Sequence, residues 1–110
     1  MTVIHQREAK RHAISPTRSR YLAHGANLML VAIDITDGPR SEPDPFHNHP
    51  HEQVTYIVEG RINFLMGDEQ FELGEGDMVA VPPNVPHAIQ PLTARVRLLD
   101  AFNPLREDFL

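Results

Sequence analysis

No cysteine occurs in the 110 residues, which excludes disulfides and thiolate metal sites and leaves the redox compartment unmarked. No window approaches the ~20 apolar residues that a membrane span requires, although the hydrophobic share is an ordinary 41%. The opening MTVIHQREAKRHAISPTRSRY has basic residues but no apolar run behind them. A secretory signal is therefore not expected, and the expected location is cytoplasmic. Also missing are a 3.6-residue apolar stripe, an internal repeat and a low-complexity tract. The length suits one domain with one core.

Positive charge is scarce outside the first twenty residues. Those carry five Lys/Arg against one acid, whereas the other ninety carry five against fourteen. A body this acidic repels polyanions, so nucleic acid is not an expected partner, and neither is a membrane. Residues 1–20 read as a basic arm, either solvated or lying on a partner subunit, and residues 21–110 as a single β-barrel domain.

What the chain does have is punctuation. Ten prolines and six glycines separate short β-type runs. The runs are 27–35, 53–60, 61–67, 70–73, 78–82, 87–90 and 96–102, with turn signals TDGP, SEPDP, MGDE, GEGD and PPNVP between them. About eight such strands suit an all-β jelly-roll barrel. From Gln53 to Val58 both alternate sets, Gln53/Thr55/Ile57 and Val54/Tyr56/Val58, are largely apolar. That strand should be covered on both sides, which makes a homodimer an expectation.

The chemistry concentrates in HNHPHEQ, residues 47–53. On a strand His47 and His49 point to one face, ~6.5–7 Å apart, which suits two ligands of one ion. Gln53 on the same straight strand would lie ~13 Å beyond. Pro50 breaks the strand, so that His47 to His49 close one strand and Gln53 opens the next, its carboxamide oxygen turned towards the ion. His87, pinned by the turn PPNVP, supplies the fourth ligand. Three neutral imidazoles and a neutral carbonyl suit one divalent transition metal (Zn, Ni, Fe, Mn, Co or Cu) and do not suit Ca or Mg. A register shift would make Glu52 the ligand in place of Gln53, and His51 supports the ligands from behind or faces solvent.

Towards the C-terminus, Asp100 and Phe102 share parity on one strand, and Arg106 follows the Asn103-Pro104 turn. If that face looks inward, an acid, a ring and a cation meet near the metal. Taken alone, the triplet reads more readily as a turn-capping Asp100, a core Phe102 and a surface Arg106.

The spacing of His47, His49, Gln53 and Gly60, followed by Gly76, Pro82 and His87, resembles the two motifs of the cupin family over residues 26–106. Asn84 stands where many members have glycine, and Gln53 where most have glutamate. The HPHEQ and PPNVPH stretches, with the terminal run DAFNPLRED, resemble the KdgF-type pectin-degradation cupins in particular. The resemblance implies a cupin barrel and an enzyme that opens the ring of 4,5-unsaturated uronates to the linear keto form. It further implies His47, His49, Gln53 and His87 as metal ligands, Asp100 and Phe102 as the catalytic pair, and Arg106, with Gln53, as substrate-binding residues. A metal-dependent dioxygenase and a non-catalytic sugar- or metal-binding cupin remain as alternatives.

Overall fold

The computed structural model describes residues 2–110, so Met1 lies outside the described residues. Nine strands form: β1 His12–Ser15, β2 Arg18–His24, β3 Met29–Ile35, β4 Glu52–Glu59, β5 Ile62–Met66, β6 Glu69–Leu73, β7 Met78–Val81, β8 His87–Pro91 and β9 Val96–Asn103. They make a six-stranded antiparallel sheet, ordered β1-β2-β3-β9-β4-β7, and a three-stranded one, β6-β5-β8. The result is a jelly-roll of two antiparallel sheets. No helix among the described residues is long and apolar enough to cross a membrane.

The first two strands depart from the expected arm. β2 pairs along its whole length with β3, and β1 pairs with β2. Nor does the segment before them float in solvent. Ile4 and Ala9 line a shallow hollow with Tyr21, Leu30 and Leu99 of the chain's own sheet, and the Arg97 guanidinium donates to Gln6 Oε1 at 3.4 Å.

A polar end and an apolar end share the interior. Along β4 the inward residues run Gln53, Thr55, Ile57, and their partners on β9 are Phe102, Asp100 and Leu98. Below this polar layer Ile35, Ile57, Ile62, Phe64, Val81, Val96 and Leu98 form one buried cluster. Burying side chains of this size stabilises by ~1.5–3 kcal/mol each. A smaller cluster of Met29, Val31 and Phe102 sits beside the polar layer. Polar groups are thus confined to one mouth, and the rest of the interior seals the floor.

The glycine of the first motif is explained by space and angle. Gly60 ends β4 with φ +83°, and a Cβ there would lie 2.2 Å from the Arg95 carbonyl oxygen. Asn84, in the second motif's turn, has φ 65°. Asparagine is among the few non-glycine residues that tolerate this left-handed region, so it fills a glycine position at modest cost.

Candidate metal centre and cavity

Residues 36–51 pass along the free edge of β8 without becoming a regular strand. Prolines at 39, 43, 45 and 50 lack the N–H that a continuous ladder needs. Contact is made at intervals: Arg40 N to Pro91 O, Asp44 N to Ile89 O, and a reciprocal pair between His47 and His87 at 3.0 and 2.9 Å. The closing strand expected at His47–His49 is therefore a single bridge. The Asn84 N–H donates to His49 O at 2.8 Å, tying the second motif's turn to the first motif.

These ties bring His47, His49 and His87 together, with one ring nitrogen of each within 4.8 Å of the others. The centroids of His47 and His87 lie 4.3 Å apart, and those of His49 and His87 5.0 Å. Backbone carbonyls select the tautomers. His49 Nδ1 donates to His51 O at 3.0 Å and His87 Nδ1 to Val85 O at 2.8 Å. Each Nε2 is then left as a lone pair. The Nε2 of His87 is buried without a hydrogen-bond partner among the described residues, a costly state unless a ligand fills it.

Gln53 completes the group. Its Oε1 stands 3.0 Å from His49 Nε2, and its Nε2 donates to Thr55 Oγ1 at 2.9 Å. Thr55 in turn donates to Asp100 Oδ1 at 2.6 Å. This relay fixes which way the carboxamide points: nitrogen inward, oxygen to the histidines. A divalent transition ion fits this donor set of imidazole nitrogens and one carbonyl oxygen. Desolvation by burial, reinforced by His87 and His49, holds His47 down at about 4. Burial also lowers His49 and His87. All three are therefore neutral and ready to ligate at pH 7.

Glu52 has the opposite parity to Gln53 on β4 and is exposed. His51 sits behind His49, its ring Nε2 3.1 Å from the Leu105 carbonyl oxygen.

A cavity of about 440 Å³ opens beside the histidines; His47, Gln53, Thr55, His87, Asp100, Phe102 and Arg106 are among its walls. Asp100 is 7% exposed. Burial raises its carboxyl to about 6, against the lowering effect of the Thr55 hydrogen bond and of Arg106. It can therefore carry or release a proton near neutrality. Phe102 packs edge-on to His49 at 5.6 Å, and the Arg106 guanidinium lies 5.3 Å over Phe102. Arg106 is not free, because Asp108 takes its fork at 3.2 and 2.7 Å.

Thr55 and Arg20 are among the cavity residues that escaped the sequence reading. Thr55 shares parity with Gln53, a signal that was available in the alternation. Arg20 lay in the segment read as an arm and gave none.

Comparison with known proteins agrees with this architecture. The family model described as "Cupin domain" matches residues 35–102. The pectin degradation protein KdgF of Dickeya dadantii is 31% identical over 85 residues, 76% of this chain and 74% of that protein. The chain belongs to the cupin family. Among solved structures, KdgF from Halomonas sp. superposes with a TM-score of 0.88 at 26% identity, covering 99% of this chain and all of that one. An acireductone dioxygenase from Leptospira biflexa is 34% identical over 73 residues, but the match spans 58% of this chain and only 41% of the enzyme. Along nearly its whole length the chain thus resembles a KdgF protein.

Proposed function

We propose that the protein is a metal-dependent enzyme of sugar-acid breakdown, which opens and ketonises 4,5-unsaturated uronates released from pectin or alginate. The observation that carries this reading is a buried Asp100, on the cavity wall beside three converging imidazoles and joined to them through Thr55 and Gln53. The likeness to two KdgF proteins supports it.

His47, His49, His87 and Gln53 would hold the ion. When bound, it supplies Lewis acidity towards charge that builds on a substrate oxygen. The remaining work is proton movement. Opening the hemiacetal transfers the anomeric hydroxyl proton to the ring oxygen as the C–O bond breaks. Ketonisation then removes that enol proton and adds one to the neighbouring alkene carbon, so the reaction is an isomerisation with no co-substrate. Asp100 is suited to both transfers, since its carboxyl titrates at about 6. Thr55 holds its Oδ1, and no side chain among the described residues bonds its Oδ2. Phe102 offers a ring to the sugar's apolar face, and Arg106 offers charge to the carboxylate.

The test is incubation with unsaturated galacturonate under argon, following loss of alkene absorbance. Turnover without oxygen, abolished in Asp100→Ala with metal content unchanged, is the expected result. Activity only in the presence of oxygen would transfer the protein to the dioxygenases, and binding without conversion to the non-catalytic cupins.

We further propose that the functional unit is a homodimer. Val54, Tyr56 and Val58 alternate with the inward residues of β4 and are 44, 39 and 39% exposed, with Leu30 and Met78 exposed on the same outer sheet face. A sheet face this apolar is ordinarily covered, and a second copy presents the matching surface.

A further inference from the structure

The inward side chains of β2 are Arg18, Arg20 and Leu22, facing Ile35, Ile33 and Val31 of β3 in register. Two arginines pointing into a barrel require partners. Arg18 has them: its guanidinium bonds Asp37 at 2.9 Å and Asp44 at 2.5 Å. Arg97 is held by Asp34 and Arg61 by Glu72. Arg20 makes no side-chain hydrogen bond or ion pair among the described residues, and its Nε is buried without a partner. That nitrogen has lost water and gained no hydrogen bond in return.

Its surroundings show what would compensate. The Arg20 guanidinium carbon lies 3.9 Å from the centroid of Phe109, and that of Arg106 lies 4.2 Å from the same centroid. Phe109 meets Phe102 edge-on at 5.9 Å. All four side chains border the cavity that His47, His87 and Asp100 also line. Two cations therefore flank one ring, and the carboxylate closest to them, Asp108, is spent on the fork of Arg106. One positive charge is left over at this wall. Lys10 and His12 line a second hollow, which Arg20 and Phe109 also border. They form the partition that ends the metal-side cavity.

From this geometry we infer that Arg20 is a specificity-determining residue, gripping a carboxylate of the substrate at the cavity wall that it shares with Arg106 and Phe109. The inference deepens the proposed uronate activity by naming a residue of the same site, but it does not require that the bound acid be turned over. A planar guanidinium offers paired N–H donors to a carboxylate. Stacking on Phe109 keeps the guanidinium plane in place before the ligand arrives, which lowers the ordering cost of binding. Arg106 is the weaker candidate for this grip, since Asp108 must first release it.

The experiment compares binding of galacturonate with that of galactose, by calorimetry, in the metal-loaded parent, Arg20→Gln and Arg20→Lys. The parent should prefer the acid, and Arg20→Gln should lower affinity for the acid by about tenfold with galactose binding unmoved. Arg20→Lys should recover only part of the loss, because an ammonium keeps the charge without the fork. Equal metal content and thermal midpoints exclude a folding defect, and if Arg20→Gln is misfolded, Arg20→Lys carries the comparison. A parent without preference for the acid, or variants that keep the parent's preference, would overturn the inference. Its failure is distinct from that of the proposed reaction. Turnover with an unaltered acid preference in Arg20→Gln sinks only the grip, whereas acid-selective binding through Arg20 without turnover sinks only the reaction.

Discussion

The carboxamide oxygen of Gln53 faces Nε2 of His49 at 3.0 Å, although neither atom has a proton to give the other once His49 Nδ1 has donated to the His51 carbonyl. Two acceptors in that relation repel unless a cation lies between or beside them. The relay behind them sets the outcome of Gln53→Glu. Glutamate would add charge to the ligand set, but it has no N–H for Thr55, whose hydroxyl already serves Asp100. Metal should bind at least as tightly, while the carboxyl of Asp100 rises above about 6 as its hydroxyl donor is drawn away. Calorimetric metal titration and carboxyl NMR titration check the two halves. Weaker metal binding, or an unmoved Asp100, would refute the orientation assigned to Gln53.

Asp100 should cost the protein stability in exchange for its chemistry. Burial raises its carboxyl from the ordinary 3.8 to about 6, so the folded state favours the protonated form. The stability it allows is full below pH 3.8 and falls as pH rises through about 6. The loss amounts to about 3 kcal/mol by pH 8, at ~1.4 kcal/mol per unit. Asp100→Asn, measured by denaturant unfolding of metal-depleted protein, should match the parent near pH 4 and exceed it by up to that amount at pH 8, with turnover lost. A variant no more stable than the parent at pH 8 would contradict the burial cost.

Legibility followed the wetness of each strand. β4 and β9 bury one alternating set against the apolar floor, so their runs stood out in the sequence, and the histidine spacing marked the candidate metal site. β1 and β2 did not stand out. His12 to Ile14 are exposed, and β2 turns Arg18 and Arg20 inward to a polar cavity, so charge occupies positions where a core strand would show apolar residues. The strand looked like a solvated arm because its inward side faces a polar cavity. The irregular path of 36–51 was hidden for another reason: its tie to β8 rests on scattered backbone bonds that no side-chain period reports.

Asn84 offers a test of the turn that holds His49. Its φ of 65° suits glycine or asparagine, and its N–H bonds the His49 carbonyl. Asn84→Gly should be nearly neutral, whereas Asn84→Ala should cost ~1–2 kcal/mol and weaken metal binding by loosening His49. Unfolding curves and metal titration read both. Equal behaviour of the two variants would remove the backbone angle as the reason for the residue.

The outer sheet face predicts its own disruption. A charge at Tyr56, in the middle of the exposed row of Val54, Tyr56 and Val58, would be desolvated in a dimer and harmless in a monomer. Sedimentation should show the parent as a dimer and Tyr56→Glu as a monomer with its metal retained. A monomeric parent would refute the pairing.

Acid should expel the metal before it unfolds the barrel's apolar end. His47 is lowered to about 4 from 6.5, and His49 and His87 are lowered too, all chiefly by burial. Depressed imidazoles contribute stability that is full above pH 6.5 and is lost as pH falls through their folded values. With metal bound the imidazoles are held neutral further into acid, so the loaded protein should resist acid better than the depleted one, by a margin that grows with metal concentration. Asp100 works in the opposite direction over the same window, since it gains a favoured proton as pH drops. Depleted Asp100→Asn should therefore lose stability more steeply than the depleted parent between pH 6.5 and 4. Thermal midpoints of loaded and depleted parent and Asp100→Asn across that range decide it: coincident acid limbs for loaded and depleted protein would mean that these three imidazoles hold no ion.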